Sequence, residues 1–334
     1  MEVSVALCTY NGEKYLSELL DSLVSQSRPP NEIVICDDCS SDSTLQILKE
    51  FKSECELDVR LVSNSNRLGV NKNFIKCVNL CMGDAIAICD QDDIWDENKI
   101  EREVNMMQKD SSTQVVFHNS TIADENLEPM GNLWEAVGYS HGELKDSRST
   151  FQRLLIENVV QGSTMLIDST LIEDLPLIPE EWNYDHFIAL YASLVTNICD
   201  IDEELLIYRQ HENQKIGAPS AESRCIIPIM SFFDSLRGEP EDYRRQANMM
   251  KTITTLIESV EEDRLNISRK KALSSVHSVK SFRERQAKIF DGSEHIKDRM
   301  YLVYKNYNED MYRKYSQSNA VVVRDIIRSV YHKH

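Results

Sequence analysis

Apolar and polar residues alternate in a regular order over the first 90 residues. Four short, mostly apolar runs are separated by segments whose apolar residues recur at helical spacing. The runs cover residues 3–7, 32–36, 59–63 and 85–89, and the helical segments cover residues 15–26, 44–51 and 73–81. Short apolar runs of this kind are typical of strands buried on both faces of a parallel sheet. The alternation therefore predicts an α/β fold with right-handed crossovers.

Three of the four runs are followed at once by polar residues. Thr9 and Tyr10 follow the first run, and Asp37 and Asp38 follow the second. A larger group of acids follows the fourth run, beginning at Asp90. Neighbouring parallel strands end at the same edge of a sheet, which is where open α/β sheets bind their ligands. The pattern thus predicts a binding site at this edge.

The acids after the fourth run are Asp90, Asp92 and Asp93, three carboxylates within four residues. Such a group is costly at the end of a buried strand unless it faces water, a metal or a partner. The spacing of Asp90 and Asp92 suits two carboxylates that share a hard cation and a phosphate-bearing ligand. The alternative is a structural cap, with Asp93 or Asp96 at the start of the next helix. Capping accounts for only one acid, so we favour a site.

Residues 113–211 continue the mixed pattern with less regularity. Asp185 falls in the predicted first turn of a helix, where the helix dipole favours a carboxylate. The remaining predictions are strands at 113–118, within 159–167 and at 198–206, helices at 151–157 and 187–195, and a long polar loop over the site at 124–150.

The pattern changes near residue 220 to long helical repeats. Residues 1–220 carry 16 Lys and Arg against 39 Asp and Glu, whereas residues 221–334 carry 21 against 16. We therefore predict two domains, 1–219 and 220–334. The predicted helices of the second domain cover residues 231–236, 243–260, 267–290, 295–304 and 320–331.

The last predicted helix has an apolar face beside Arg324 and Arg328. It could pack on the other helices, mediate a homodimer, or lie on an anionic membrane. The helix is short and only mildly basic, so packing is the default interpretation.

Overall composition narrows the class of protein. A net charge of −18 does not suit a nucleic-acid partner. No segment approaches the length of a membrane span. The nine cysteines are scattered, without a second pair at zinc-ligand spacing. They suggest reduced thiols, and hence a cytoplasmic protein.

Three segments together resemble family 2 glycosyltransferases over roughly residues 1–217. These are Val-Ala-Leu-Cys-Thr-Tyr-Asn-Gly, Asp-Asp-Cys-Ser-Ser-Asp-Ser-Thr and Asp-Gln-Asp-Asp-Ile-Trp-Asp-Glu-Asn-Lys, which begin at residues 5, 37 and 90. Residues 158–165, Asp185 with His186, and residues 208–213 with Gly217 resemble a bacterial branch that includes rhamnosyltransferases. The resemblance implies a GT-A (Rossmann-like, mostly parallel) catalytic domain and an inverting, metal-dependent transferase that uses nucleotide-sugars.

The resemblance also implies roles for residues at the nucleotide end of the site. Thr9 and Tyr10 would line the nucleotide pocket, with Tyr10 against the pyrimidine. Asp38 would accept a hydrogen bond from the base N3–H. Asp90, with Gln91 beside it, would lie near the ribose.

The resemblance also implies metal-binding or catalytic roles for three further residues. Asp92 would bind Mn²⁺ or Mg²⁺ together with the diphosphate, and His211 could add a metal or diphosphate contact. Asp185 would be the catalytic base, although many members carry a Glu-Asp pair where this chain has Tyr184 and Asp185. The predicted donor or acceptor pocket comprises Trp95, Gln161, Gly162, His186 and Arg209.

The donor and the acceptor follow only from the resemblance. It implies transfer from dTDP-rhamnose or a UDP-sugar to a glycan or lipid-linked acceptor in cell-surface polysaccharide synthesis. Such an acceptor would bring a cytoplasmic enzyme to the inner membrane face. The alternative is a catalytically inactive protein that binds nucleotide-sugars as a scaffold. Retention of Asp38, Asp90, Asp92 and Asp185 argues against that alternative.

Overall fold

A computed structural model describes residues 1–144, 146–211, 239–291, 295–316 and 320–330. The chain forms two compact units. Unit 1 comprises residues 1–150 and 158–221, and unit 2 comprises residues 151–157 and 222–334. The predicted boundary between residues 219 and 220 lies outside the described residues, as does the predicted helix at 231–236.

Unit 1 is built on one sheet, which has nine strands in the described part of the chain. The strands are β1 (Val3–Thr9), β2 (Glu32–Asp37), β3 (Asp58–Ser63), β4 (Ala85–Asp90), β5 (Ile94–Trp95), β6 (Thr113–Ala123), β7 (Pro129–Asn132), β8 (Met165–Asp168) and β9 (Asn197–Arg209). Their order is β3-β2-β1-β4-β8-β6-β9-β5, and β7 pairs with β6.

The described residues up to 211 also contain eight α-helices. They are α1 (Leu16–Val24), α2 (Thr44–Glu54), α3 (Val70–Val78), α4 (Lys99–Met107), α5 (Leu133–Val137), α6 (Ser147–Leu154), α7 (Ser169–Glu173) and α8 (Tyr184–Val195). Of these, α6 continues into unit 2 at residue 151.

The first half of the sheet is parallel, as predicted. Strands β3, β2, β1 and β4 pair in parallel, with Thr9 opposite Asp37 and Cys8 opposite Asp90. The apolar runs explain this arrangement, because residues such as Val5 and Ile33 are fully buried in the core. The register brings the polar strand ends to one edge.

The second half of the sheet is mixed, so the prediction of a mostly parallel sheet holds only as far as β4. Strand β8 runs antiparallel to both β4 and β6, and β5 runs antiparallel to β9. Strands β6 and β9 pair in parallel.

The prediction of a long loop at 124–150 was wrong. The Asp124 side chain accepts hydrogen bonds from the N–H groups of Asn126 and Glu128, which closes a turn between β6 and β7. The Asn132 side chain then accepts from the Glu135 N–H and caps α5. Gly138 ends this helix with a left-handed φ of 62°. Local capping thus gives structure to a segment without a long apolar repeat.

Unit 2 is helical in its described residues. Beyond residue 238 its α-helices are α9 (Pro240–Ser259), α10 (Arg269–Asp291), α11 (Ile296–Asn308), α12 (Met311–Tyr315) and α13 (Ala320–Val330). Arg324 binds buried Asp325 through two nitrogens, at 2.9 and 2.7 Å, and the Tyr312 hydroxyl donates to the same carboxylate. Within the residues described, no helix is both long enough and apolar enough to cross a bilayer.

Candidate active site

Asp37 is fully buried, and its carboxylate binds groups of the protein at the ends of β1 and β2. Its carboxylate accepts from the Thr9 hydroxyl at 3.0 Å and from the Ser40 N–H at 3.0 Å. Thr9, a predicted nucleotide contact, is itself 2% exposed. The Thr9 hydroxyl therefore joins the ends of β1 and β2.

Asp38 lies beside Asp37 but has a different environment. Its carboxylate accepts from the backbone N–H groups of Leu68 and Gly69 at 2.7 and 2.8 Å, and from the Asn64 side chain at 2.9 Å. Gly69 has a φ of +82°, a conformation that favours glycine. A carboxylate has about four acceptor positions, so one stays open for a ligand N–H.

Tyr10 and Gln91 are bound to each other at the ends of β1 and β4. The Gln91 side chain accepts from the Tyr10 N–H at 2.7 Å and donates to the Tyr10 carbonyl at 3.0 Å. Gly12 leaves room for this amide, since a Cβ there would lie 2.5 Å from its oxygen. Gln91 thus positions Tyr10, and both of its amide groups are engaged in doing so.

Arg67 is a candidate site residue that sequence reasoning missed. Its guanidinium lies over the Tyr10 ring, 3.8 Å from the ring centroid. Arg67 lies in the connection from β3 to α3, at the same sheet edge as Asp38. A lone arginine in a polar loop carries no pattern, so only the strand order brings it to Tyr10.

Asp90 ends β4, partly buried, with two other acids near it. Burial, the charge of Asp92 and the charge of Asp185 raise the pKa of Asp90 to about 7. The effect of Asp185 is informative, because these residues are far apart in sequence. The sheet edge therefore brings the predicted catalytic base to the acidic cluster.

Asp92 is held from two sides by the segment that ends β9. Its side chain lies 2.9 Å from Nε2 of His211, and its carbonyl accepts from Nε of Arg209 at 3.1 Å. The His211 ring packs on the Tyr15 ring at a centroid distance of 4.8 Å. The two predicted metal ligands are therefore neighbours.

Arg209 was predicted to line the donor or acceptor pocket, but its side chain is buried and bound to other residues of the protein. It is 2% exposed, and besides Asp92 it binds the Glu125 carbonyl and the Glu18 carboxylate. Its guanidinium also lies over the Tyr15 ring at 4.4 Å. Arg209 holds the backbone of the Asp92 loop.

Asp93 is fully buried and does not cap the following helix, which corrects the capping alternative for this residue. The cap position of α4 is Asn98, and Asp96 accepts from the Asn98 N–H at 2.9 Å. Within the described part of the chain, neither carboxylate oxygen of Asp93 forms a hydrogen bond of regular geometry. Burial and the charges of Asp92 and Asp90 raise its pKa well above the usual range, which the nearby Ser163 hydroxyl opposes.

Asp185 lies in the first turn of α8, as predicted. Its carboxylate accepts from the Asn158 side chain at 2.9 Å and from the His186 N–H at 2.7 Å. Burial raises the pKa of Asp185 to about 6, and hydrogen bonds from His186, Asn158 and Gly162 oppose that rise. Asp185 is thus oriented by donors and has a pKa suited to accepting a proton near neutral pH.

Gly162 and His186, two predicted pocket residues, flank this carboxylate. Gly162 lies under the ring of Tyr184, which stacks on Phe74 at 3.9 Å. The His186 ring meets the Trp182 ring edge-on at 5.0 Å. Gln161 precedes Gly162, and its side-chain oxygen is buried.

Trp95, also predicted for the pocket, lies in the hydrophobic core instead. It is 3% exposed, and the Lys99 ammonium lies 4.2 Å from its ring centroid. Strand β5 pairs with β9 at this point, which turns the indole inward. The apolar character of Trp95 reflects packing, so we leave it out of the site.

The residues at this edge suit a divalent cation that keeps other ligands. Asp92 and His211 present an oxygen and a nitrogen ligand side by side, near Asp90, whose pKa is raised by burial and by the charges of Asp92 and Asp185. The described residues contain no group of three or more His, Cys, Asp or Glu arranged to hold a metal. Mg²⁺ and Mn²⁺ sites commonly add waters and substrate phosphates to one or two protein ligands. The residues present therefore fit a divalent metal whose remaining ligands would come from water and from the substrate phosphates.

The fold and this acidic edge define a class of protein. A half-parallel, half-mixed sheet with carboxylates at its carboxyl edge, followed by helices, is the architecture of a GT-A glycosyltransferase. The family model for glycosyl transferase family 2 matches residues 4–173. The chain belongs to this family, and it is a glycosyltransferase enzyme. The predicted family and fold are confirmed.

The relatives that are similar in sequence include two with named transferase activities. The chain is 31% identical over 225 residues to the dTDP-rhamnosyl transferase RfbG of Shigella flexneri, covering 64% of this chain and 74% of RfbG. It is 34% identical over 125 residues to the poly(ribitol-phosphate) beta-N-acetylglucosaminyltransferase TarS of Staphylococcus aureus. That match covers 36% of this chain and 20% of TarS.

A solved structure shows the same fold. Residues 1–349 of S. aureus TarS, in complex with UDP-GlcNAc, align with a TM-score of 0.59 and 18% identity. The alignment covers 98% of this chain and 89% of that chain.

Proposed function

We propose that this protein is an inverting, metal-dependent glycosyltransferase that moves a sugar from a nucleoside diphosphate donor to a glycan or lipid-linked acceptor. The observation that supports it best is Asp185. This carboxylate is oriented by Asn158 and two backbone N–H groups, and it lies close enough to Asp90 to raise its pKa. A candidate base and a candidate phosphate-and-metal site thus face one another.

The nucleotide would bind at the ends of β1 and β2. Tyr10 offers an aromatic ring for the base, with the Arg67 guanidinium against it. Asp38 has an acceptor position to spare for the N3–H of a pyrimidine. Asp90 would lie near the ribose, while Thr9 binds Asp37 and Gln91 binds Tyr10 at the neighbouring strand ends.

Asp92 and His211 would hold Mn²⁺ or Mg²⁺ beside the diphosphate. When bound, the cation supplies Lewis-acid stabilisation of the negative charge that develops on the leaving phosphate. Arg209 keeps the Asp92 backbone in place through its carbonyl. His211 is packed on Tyr15, which limits its rotation.

Asp185 would take the proton of the acceptor hydroxyl as that oxygen attacks the anomeric carbon. Asn158 and the backbone N–H of His186 fix the direction of its oxygens. Only one base is needed, and the attack occurs on the face opposite the leaving phosphate. A single displacement of this kind inverts the anomeric centre.

The donor we favour is dTDP-rhamnose, with a UDP-sugar as the second choice. The 31% identity to a dTDP-rhamnosyl transferase supports the first, and the sequence match to an N-acetylglucosaminyltransferase supports the second. The inactive-scaffold alternative is disfavoured by the hydrogen bonds that orient Asp185, because a binding protein does not need an oriented base.

Unit 2 presents a surface that suits a lipid-linked acceptor. Four side chains of α11 form an exposed stripe at helical spacing, with exposed fractions of 52%, 38%, 62% and 69%. The members of this α11 stripe are Ile296, Met300, Tyr304 and Tyr307. Tyrosines with nearby lysines and arginines favour the membrane interface, and residues 221–334 carry an excess of positive charge. We therefore propose a cytoplasmic enzyme that contacts the inner membrane face.

The test combines donor binding with an Asp185→Asn variant. Thermal shift with dTDP-rhamnose and UDP-sugars, with and without Mn²⁺, should reveal one donor class that stabilises the protein in a metal-dependent way. Asp185→Asn should keep this shift and lose about 10²–10⁴-fold in transfer rate, the usual contribution of a general base. Exposed Asp21→Asn is the matched control.

Three outcomes would count against the proposal. Full transfer activity in Asp185→Asn would remove Asp185 as the base. No stabilisation by any sugar nucleotide would remove the donor class. Binding without transfer or hydrolysis in the wild-type protein would favour the scaffold.

A further inference from the structure

Two polar side chains beside Gly162 have hydrogen-bonding capacity that the protein does not use. The side-chain oxygen of Gln161 is buried without a hydrogen-bond partner in the described part of the chain. The Tyr184 side chain stacks on Phe74, and no hydrogen bond joins its hydroxyl to another described residue. A buried acceptor without a partner is costly, which points to a ligand or an ordered water at this place.

The Tyr184 ring is fixed in position. It lies nearly parallel to the Phe74 ring, at a centroid distance of 3.9 Å and an angle of 17°, and Tyr184 is 9% exposed. Its hydroxyl lies over Gly162, where a Cβ would be only 2.2 Å from the hydroxyl oxygen. Glycine at 162 therefore allows the phenol to reach this position, against the residue that follows Gln161 in the chain.

The Tyr184 hydroxyl lies near both of the proposed functional ends of the site. Burial, and after it the charges of Asp90 and Asp185, raise the pKa of Tyr184 well above its usual value. The hydroxyl thus keeps its proton and can donate. In the proposed function Asp90 lies near the ribose and Asp185 faces the acceptor, so the transferred sugar must lie between them.

We propose that Gln161 and Tyr184 together recognise one ring hydroxyl of the transferred sugar and so determine donor specificity. The phenol donates to the sugar oxygen, and the Gln161 oxygen accepts the proton of the same hydroxyl. A sugar that lacks this hydroxyl leaves both groups unpaired, which is the arrangement that discriminates strongly between substrates. This inference rests on the proposed function.

The test uses Tyr184→Phe and Gln161→Leu in the full chain. Each should lower kcat/KM for the accepted donor by about 10- to 100-fold, as expected for loss of a buried hydrogen bond. Binding of the free nucleoside diphosphate should be unchanged. Tyr301→Phe, which alters an exposed tyrosine of unit 2, is the matched control.

Deoxy donors provide the decisive comparison. A donor without the recognised hydroxyl should lose the same factor with the wild-type enzyme, and the variants should lose nothing further with it. Gly162→Ala should reproduce the Tyr184→Phe loss, because the new Cβ displaces the phenol.

Several results would overturn the inference. Unchanged kcat/KM in both variants would do so, as would equal weakening of nucleoside diphosphate binding. A change confined to the KM of the acceptor would assign the pair to the acceptor instead. Melting temperatures establish that each variant folds, and Gln161→Leu tests the pair independently if Tyr184→Phe does not. Absence of turnover by the wild-type protein would instead be a failure of the proposed function.

Discussion

The Asp185 carboxylate balances two opposing effects. Burial favours its protonated form, while hydrogen bonds from Asn158, His186 and Gly162 favour its ionised form. The outcome is a pKa of about 6, above the ordinary value of an aspartate. A base with this pKa is ionised at neutral pH and still takes up a proton readily.

The pH dependence of transfer should report this balance. Because the base acts in its ionised form, kcat/KM should rise with pH and level off above about 6, the pKa of Asp185. Asn158→Ala removes a donor to the carboxylate and favours the protonated form, so the acid limb should move to higher pH by about one unit. Profiles of kcat/KM between pH 5 and 8 measure this shift of the acid limb. Asn308→Ala, at an exposed position, is the control.

An acid limb that stays in place in Asn158→Ala would show that Asn158 does not act on the base. A rate that is independent of pH across this range would exclude Asp185 as the titrating group.

Residue roles could be predicted from sequence only where the chemistry is visible in the residue type. Asp92 and Asp185 are carboxylates at positions where a carboxylate is costly unless it has a partner or a function. The structure brings both residues to one edge of the sheet. Trp95 and Arg209 have equally suggestive side chains, yet both are buried and engaged within the protein. Only long-range pairing between β5 and β9 determines where they point, and no local pattern encodes it.

Helix α4 follows the loop that carries Asp92, and it contains a buried ion pair. The Lys99 ammonium and the Glu103 carboxylate are both fully buried and lie 2.7 Å apart, one helical turn from each other. His118 of β6 lies 3.7 Å from the same carboxylate and is also fully buried. Burial raises the pKa of Glu103 to about 6 despite Lys99, and lowers that of His118 well below its usual range.

Replacing one member of this pair should lower the unfolding free energy more than replacing both members. Lys99→Met leaves Glu103 buried without its counter-charge, so we expect a loss of about 3–5 kcal/mol in unfolding free energy. The double variant Lys99→Met with Glu103→Leu should recover most of that loss, because no charge then remains unpaired. Urea unfolding followed by tryptophan fluorescence is the measurement, since all three tryptophans belong to unit 1.

The control is the exposed surface pair of Lys72 and Glu180, whose charged atoms lie 3.1 Å apart. Its disruption should lower the unfolding free energy by less than about 1 kcal/mol. Additive losses at Lys99 and Glu103 would contradict the expected coupling.

Element boundaries show what periodicity can and cannot predict. The first four strands and the helices between them appear where the apolar pattern indicated, because a buried parallel sheet needs continuous apolar runs. The direction of β8 and the hairpin of β6 and β7 were not predicted. They depend on strand pairing and on the short capping contacts of Asp124 and Asn132, which leave no periodic signal.

At the scale of the molecule, the two units differ in charge and are not continuous in sequence. Residues 151–157 belong to unit 2, although they lie between two parts of unit 1 in sequence. The Gln152 side chain donates to Ser275 of α10, and Phe151 is 1% exposed. Deleting residues 222–334 would therefore expose apolar side chains in what remains, so unit 2 is better tested in the full chain.

The α11 stripe should bind anionic lipid. We expect the protein to co-sediment with vesicles that contain phosphatidylglycerol and not with phosphatidylcholine alone. A triple variant with serine at Met300, Tyr304 and Tyr307 removes apolar area and should bind roughly tenfold more weakly. Leu177→Ser, which alters an exposed apolar residue of unit 1, is the control.

Equal binding by the triple variant would exclude the stripe as the membrane contact. A dimer that the triple variant dissociates in analytical ultracentrifugation would assign the same face to a second copy of the chain.

The amide of Gln91 connects the proposed nucleotide end and the proposed metal end of the site. Because it binds both the N–H and the carbonyl of Tyr10, the ends of β1 and β4 cannot shift independently. A ligand that orders one end therefore orders the other, and the second ligand meets a junction that is already rigid. Pyrimidine and cation should consequently bind with positive cooperativity, and thermodynamic reciprocity requires each to tighten the other by the same factor.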